Sequence, residues 1–447
     1  MPAAIVKSIR WVLIGWALSL MLTSAFQAAA KIGPPITKLR DAVPINLGNA
    51  EAHYALGVAL ESQGEFDAAI VEYREAIRLN PTLAAAHVNL GVVLVDQGKV
   101  NAAVAEFREA IRLNPNDSEA HSNLGFALAS QGKLDAAVAE CRDAIRLAPN
   151  FAAAHVNLGM ALGRQGRVDV AITEFRQAIR LAPNLAQAHS NLGAALFSQG
   201  KLAEAIAEIR EATRLNPNLA IAHSNLGHAL RLQGRIDRAV AEFREAIRLQ
   251  PNLAAARVGL GAVLADRGDA FLWNGEYYKA LKAYQEVLRL KPDAANVHVR
   301  IGYIHFLTNR FEKAVEDFKE YLGLLDSPYG DENAYIMIWQ HLSLKSSGKH
   351  DEAQTLLEDF AMGSKSEGWG SSVFRYHQGK LSASDLISGA KEKGEQCQAY
   401  FYIGYQYLLS GDMQKASEYF QKTVDTKSFD CLEHLGARAK LEQFGVN

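Results

Sequence analysis

The chain has little cysteine, little proline and almost no net charge. Three cysteines, Cys141, Cys397 and Cys431, lie scattered through 447 residues, too few for a disulfide framework. A formal charge of −2 gives no electrostatic reason to expect nucleic-acid binding. Chemistry-bearing motifs are lacking too. There is no phosphate loop ending in Gly-Lys-Ser/Thr and no His-Glu-x-x-His zinc motif, and Gly259-Leu260-Gly261 lacks the third glycine of a dinucleotide fingerprint. The expectation is a protein that is not an enzyme and has no cofactor, metal or catalytic site. The 12 prolines are confined to fixed places, and alanine-rich helix formers fill the intervals, which argues for an all-α chain.

What is present is a repeat. A 34-residue unit runs from Ala50 to Leu83 and recurs without insertion or deletion through Leu253. Pro81, Pro115, Pro149, Pro183, Pro217 and Pro251 mark its end, and Gly57, Gly91, Gly125, Gly159, Gly193, Gly227 and Gly261 mark an inner step. Self-similarity at this period is the signature of a helical solenoid, in which each repeat contacts only its neighbours. With Ala50 as position 1, positions 1–14 carry apolar residues at helical spacing and predict a helix A. Glycine at position 15, from Gly64 to Gly234, ends that helix in the left-handed conformation. Helix B follows, with Ala69, Ile70, Tyr73, Ala76 and Ile77 on one face and Glu72, Arg74, Glu75 and Arg78 on the other. It stops at Asn80-Pro81, where proline lacks a donor. Glycine inside helix A costs about 1 kcal/mol relative to alanine, so position 8 must bring helix B close to helix A. Alanine at positions 20 and 27 admits the next repeat.

These residues resemble the tetratricopeptide repeat (TPR) family. Its pattern is matched by His53, Leu56-Gly57, Leu60, Ala69, Tyr73, Ala76 and Pro81, with histidine in place of the first aromatic at His53, His87, His121, His155, His189 and His223. The resemblance implies a right-handed TPR superhelix, an α-solenoid of helix-turn-helix repeats whose A helices line the concave face. Position 6 on that face is Asn89, Asn123, Asn157, Asn191 and Asn225. An amide offers donor and acceptor, so this column is a candidate for holding the main chain of an extended peptide. It is similar to the asparagine ladder in the TPR superhelix of O-GlcNAc transferase. The alternative is that each amide bonds the neighbouring helix. Positions 5 (Val88, Ser122, Val156, Ser190, Ser224) and 9 (Val92, Phe126, Met160, Ala194, His228) are mildly apolar, and the lysines of the chaperone-binding TPR clamp are absent. The expected ligand is therefore an extended, mildly apolar segment and not an acidic tail. The histidines stand about 8–10 Å apart per repeat, too far for shared metal ligation at about 2.0–2.1 Å, and read as packing residues.

The array changes after residue 253. Pro292 comes 41 residues after Pro251, an excess of seven, or about two helical turns. Placed at Gly268–Asn274, the insert makes Phe271, Leu272 and Trp273 a candidate partner ridge, or else an elaboration packed on its neighbour. The expected organisation is six regular repeats over 50–253, two divergent repeats over 254–326, a degenerate repeat over 327–362 after the Ser327-Pro328-Tyr329-Gly330 break, non-repeat helices over 363–396, and a final repeat with a capping helix over 397–447. Within 363–396 two short helices are predicted, around Val373–His377 and Ser384–Lys391.

Residues 1–30 carry Lys7 and Arg10, an uncharged run from Trp11 and an Ala28-Ala29-Ala30 end. That pattern predicts a cleaved signal peptide or a membrane anchor, with residues 31–49 as linker and the repeats outside the cytoplasm, in the periplasm or facing it from the membrane. The first cysteine is Cys141, which excludes the lipid-attachment site of a bacterial lipoprotein. The stretch Cys397–Phe444 resembles exported NlpI-type TPR adaptors, implying a scaffold for a peptide or protein partner. Self-association into a homodimer is the other reading, through the 268–274 ridge and the C-terminal cap.

Overall fold

The computed structural model describes residues 49–325, 331–363, 368–429 and 431–445. The segment 1–30, most of the 31–49 linker and the Ser327–Gly330 break lie outside them. The described residues are helices joined by short turns, with no strand among them. They fall into two compact units that divide between Leu260 and Gly261.

The first unit is the regular array. Its A helices are Ala50–Ser62, Ala84–Asp96, Ser118–Ser130, Ala152–Arg164, Ala186–Ser198 and Ala220–Leu232. Its B helices are Phe66–Leu79, Val100–Leu113, Leu134–Leu147, Val168–Leu181, Leu202–Leu215 and Ile236–Leu249. Asn49 and Asp117 cap the first and third A helices by accepting from the two following backbone amides of the first turn, at 3.0–3.4 Å. The position-15 glycines hold φ between 71° and 81°, the left-handed turn that the sequence predicts. A Cβ on Gly91 would stand 2.6 Å from Cε1 of Phe107, and one on Gly159 2.6 Å from Cε1 of Phe175. Position 8 is thus a seat for the side chain at position 24 of the same repeat.

The seventh repeat departs from the expected register. Its first helix is Ala254–Trp273, 20 residues where the other A helices of the array have 13. A Cβ on Gly261 would meet nothing within 4 Å, whereas one on Gly268 would stand 2.5 Å from Cε1 of Tyr284. Gly268 is therefore position 8, and Gly275, with φ 75°, is position 15. The repeat runs in unbroken register from Gly261, and the seven extra residues are 254–260. Phe271, Leu272 and Trp273 then fall at ordinary helix-A positions and are not the inserted residues. Leu272 is 1% exposed and Trp273 39%, while the cations of Arg267 and Lys279 lie 5.6 and 5.4 Å from the Phe271 ring. Proline spacing counts the extra residues; only the packing of a glycine against its ring locates them.

The second unit continues with the helix Tyr277–Leu290, the pair Ala295–Leu307 and Phe311–Gly323, and the pair Asp331–Ser346 and His350–Gly363. Asn309 makes its turn at φ 55°, as expected of asparagine in the left-handed region. The two short helices are Trp369–His377 and Ala383–Gly389, and the last repeat is Lys393–Leu409 with Met413–Asp425. The terminal helix, Leu432–Gln443, does more than cap the last repeat. It folds back more than 100 residues: Lys440 Nζ donates to Asn309 Oδ1 at 2.7 Å, Gln443 Nε2 to the Leu307 carbonyl at 3.4 Å, and the Tyr303 hydroxyl to the Leu432 carbonyl. Aromatic side chains fill the space so enclosed, with Trp339 meeting Tyr303, Phe306 and Phe401 at ring separations of 4.8–5.0 Å.

The register makes opposite predictions for two neighbouring glycines. Gly268→Ala drives a methyl into a buried ring and should cost about 1–3 kcal/mol. Gly261→Ala fills open space in a helix and should add up to about 1 kcal/mol. Urea unfolding followed by circular dichroism measures both, and equal effects would contradict the register.

Candidate peptide-binding face

The asparagine column is buried more deeply than a free ladder would be. Asn89, Asn157 and Asn225 are 7, 5 and 3% exposed, and Asn123 and Asn191 are half-buried. Three of the five reach the preceding repeat. Asn157 Nδ2 donates to Ser122 Oγ at 2.9 Å, Asn225 Nδ2 to Ser190 Oγ at 3.3 Å, and Asn89 Nδ2 to the Tyr54 hydroxyl at 3.2 Å. Whether position 6 finds a partner there depends on position 5 one repeat earlier. Serine stands before Asn157 and Asn225, but Val88 and Val156 stand before Asn123 and Asn191. The result is a column of half-met amides: Nδ2 of Asn123 and Asn191 and Oδ1 of Asn157 and Asn225 are buried without a partner. Position 5 itself is buried, with Ser190 and Ser224 fully so. Position 9 is more open, Phe126 and Met160 being half-buried.

The histidine column has a role that the sequence reading missed. In six successive repeats the histidine Nδ1 lies 2.7 Å from the glutamate at position 23 of the same repeat, from His53–Glu72 to His223–Glu242. Glu72, assigned from its helix face to the solvated side, instead ties helix B to helix A. At His121, His155, His189 and His223 the other nitrogen faces the carbonyl of the preceding repeat's proline, at 2.9–3.3 Å. Carboxylate and carbonyl both accept, so a ring that carries both protons makes both bonds. At His223 the bond to Glu242 raises the pKa above the usual histidine value against the opposing effect of burial. The constant spacing of 19 residues between the two columns was the available clue.

The pairing also bears on metal chemistry. His121, Glu140 and Asp143 bring their ligand atoms within 4.8 Å of one another, but His121 is bonded to Glu140 and Pro115, and Asp143 to Arg146 at 3.2 Å. A second interlock joins consecutive repeats. Gln97, Gln131, Gln165 and Gln199 donate to Asp67, Asn101, Asp135 and Asp169 at 2.6–2.8 Å.

Charge is uneven along the array. Burial, opposed by a bond from Tyr73, lifts the Glu61 carboxyl to about 6, and the nearby charges of Asp96 and Glu119 add to the rise. The first three repeats therefore present a cluster of acids, whereas the fourth presents Arg164, whose guanidinium donates to the Ala129 carbonyl. In the second unit Cys397 and Cys431 are free and buried, and the Cys397 sulfur, followed by burial, holds the Cys431 thiol far above its ordinary range.

Family models agree with this architecture. Models described as tetratricopeptide repeat match residues 88–150, 156–220 and 265–327, and 398–426, and a TPR-repeat model matches 59–98 and 227–267. Together they cover well over half of the chain. The protein belongs to the tetratricopeptide repeat family. Such repeats serve in general as non-catalytic scaffolds for peptide or protein partners, and this TPR chain has that architecture. Among curated proteins it is similar to the lipoprotein NlpI homolog of Haemophilus influenzae, at 26% identity over 152 residues, 32% of this chain and 46% of that protein. The chain thus spans about half the length of that relative. Among solved structures it is similar to TTC0263 of Thermus thermophilus (23% identity, 40% of this chain and 98% of that one, TM-score 0.38). PilF of Pseudomonas aeruginosa is another (20% identity, 46% and 95%, TM-score 0.39). No helix among the described residues is long and apolar enough to cross a membrane.

Histidines in the two units should titrate in opposite directions. His223, with its pKa raised, contributes stability that is present below about pH 6.5 and lost as pH rises through its folded value. His341, fully buried, is lowered to about 4 chiefly by that burial. It therefore disfavours the folded state as pH falls from about 6.5 towards 4. Proton NMR titration should place the two midpoints on either side of about 6.5, and Glu242→Gln should bring His223 down. A His223 midpoint unmoved by that change would remove Glu242 as the cause.

Proposed function

We propose that the protein is a scaffold outside the cytoplasm that binds an extended peptide or an extended segment of a partner protein along its A helices. The observation that carries this reading is the half-met asparagine column. Four amides in four successive repeats each keep one buried atom without a partner, and an unsatisfied buried polar atom costs about 1–3 kcal/mol. An extended main chain presents alternating donors and acceptors and can meet such a column without reading side chains. The half-buried Phe126 and Met160 favour a mildly apolar segment. Similarity to a protein named as a lipoprotein, together with the apolar run from Trp11 to Ala30, supports placement outside the cytoplasm.

The test is replacement of Asn89, Asn123, Asn157, Asn191 and Asn225 by alanine in the full chain. Crosslinking in the native envelope identifies what the unmodified protein holds. The five-fold variant should lose that adduct while its helical circular dichroism persists. Because three of the amides also bond the preceding repeat, Asn123→Ala with Asn191→Ala forms the cleaner pair. Unchanged crosslinking in both variants would end the column's role.

A further inference from the structure

The second unit holds a cavity of about 320 Å³ that peptide binding by the array does not use. It is at the small end of ligand pockets, with room for about ten waters. Its buried lining includes Tyr303 and Trp339, whose rings meet edge to face at 5.0 Å, and Phe318, with the half-buried Tyr335 beside them. Among these rings lies a carboxylate. Glu433 lines the same cavity, is 3% exposed, and belongs to the first turn of the terminal helix, where negative charge is favoured.

The hydrogen-bond partners of Glu433 are both uncharged groups. Oε1 accepts from the Tyr402 hydroxyl at 2.5 Å and Oε2 from the Cys431 thiol at 3.0 Å. Both donors are neutral, and a carboxylate has about four lone-pair sites. The terminal helix carries two cations: Arg438, whose side chain is exposed, and Lys440, about two turns from Glu433, roughly 10 Å along the axis. The Lys440 ammonium is already committed to Asn309 at 2.7 Å and to Gln443 at 3.3 Å, 5.9 Å from the rings of both Phe311 and Tyr405. A carboxylate set among aromatic rings is the chemistry that holds an organic cation. Lys440 shows that this unit already keeps one ammonium buried against rings.

We propose that this cavity is a binding site for an organic cation, an alkylammonium or a guanidinium, held by Glu433 and by the rings of Tyr303 and Trp339. The cation has two natural sources: a lysine or arginine side chain of a protein partner, or a free polyamine. The site is independent of the asparagine column.

Calorimetric titration of the full chain tests it with n-butylammonium and n-butylguanidinium, against n-butanol as the neutral probe of similar shape. The cations should bind at least about tenfold more tightly than butanol, the ratio expected of one charged hydrogen bond. Glu433→Gln, which keeps the shape and removes the charge, should abolish that preference. Alanine pentapeptides bearing one lysine or one arginine form one further arm and spermidine the other, and the tighter binder identifies the source. Butanol binding as well as the cations, or no binding by any probe, overturns the proposal. Should Glu433→Gln fail to fold, the comparison of cation with butanol on the unmodified protein decides alone.

Discussion

The array depends on the contact between the position-8 glycine of helix A and the side chain at position 24 of helix B. A methyl group on that glycine would stand under 3.0 Å from the side chain in each of the six regular repeats, so the two helices of each hairpin approach as closely as a bare backbone allows. The apolar faces this creates are too narrow to be covered within one repeat, and stacking covers them. Repeats therefore tolerate different side chains at position 24, including Cys141 and Ile209, provided the glycine stays.

Polar bonds then fix what apolar packing leaves free. The histidine–glutamate pair joins helix A to helix B within a repeat, and the proline carbonyl draws the same ring towards the preceding repeat. The glutamine at position 14 reaches back to position 18 of the repeat before it. Each bond is short and partly exposed, so individually worth about 0.5–1.5 kcal/mol, but it recurs along the array. In a chain whose stability is a sum of repeat and interface contributions, recurrence matters more than the strength of one bond. The second unit uses a different device. Its terminal helix returns to Leu307 and Asn309, enclosing aromatic rings and burying a lysine and a glutamate that an open solenoid would leave in water.

Periodicity made most of the first unit legible. Gly64 and its equivalents read as turns because only a left-handed residue fits a 34-residue helix-turn-helix step, and Pro81 and its equivalents read as ends because proline cannot continue a helix. Asn309 was legible for the same reason. Glu72 was not, because helical spacing assigns a face without saying how far a side chain bends towards its neighbour. The asparagine column was legible as a column, but its alternation of bonding depends on Ser122, Ser190, Val88 and Val156 one repeat earlier. Reading it required knowing that positions 6 and 5 of successive A helices meet. The register of the seventh repeat failed because Gly261 and Gly268 stand seven residues apart, on nearly the same helical face.

By itself, then, the sequence determined the repeat length, the helices and small-residue seats of the regular array over 50–253, and hence the family, because these are local properties that recur and so reinforce one another. The tertiary structure alone decided which glycine is the seat in the seventh repeat and which amides keep an unmet atom. It also decided that Glu433 lies among rings supplied by residues nearly a hundred or more positions away. Those facts rest on contacts between segments distant along the chain, and such contacts leave no period in the sequence.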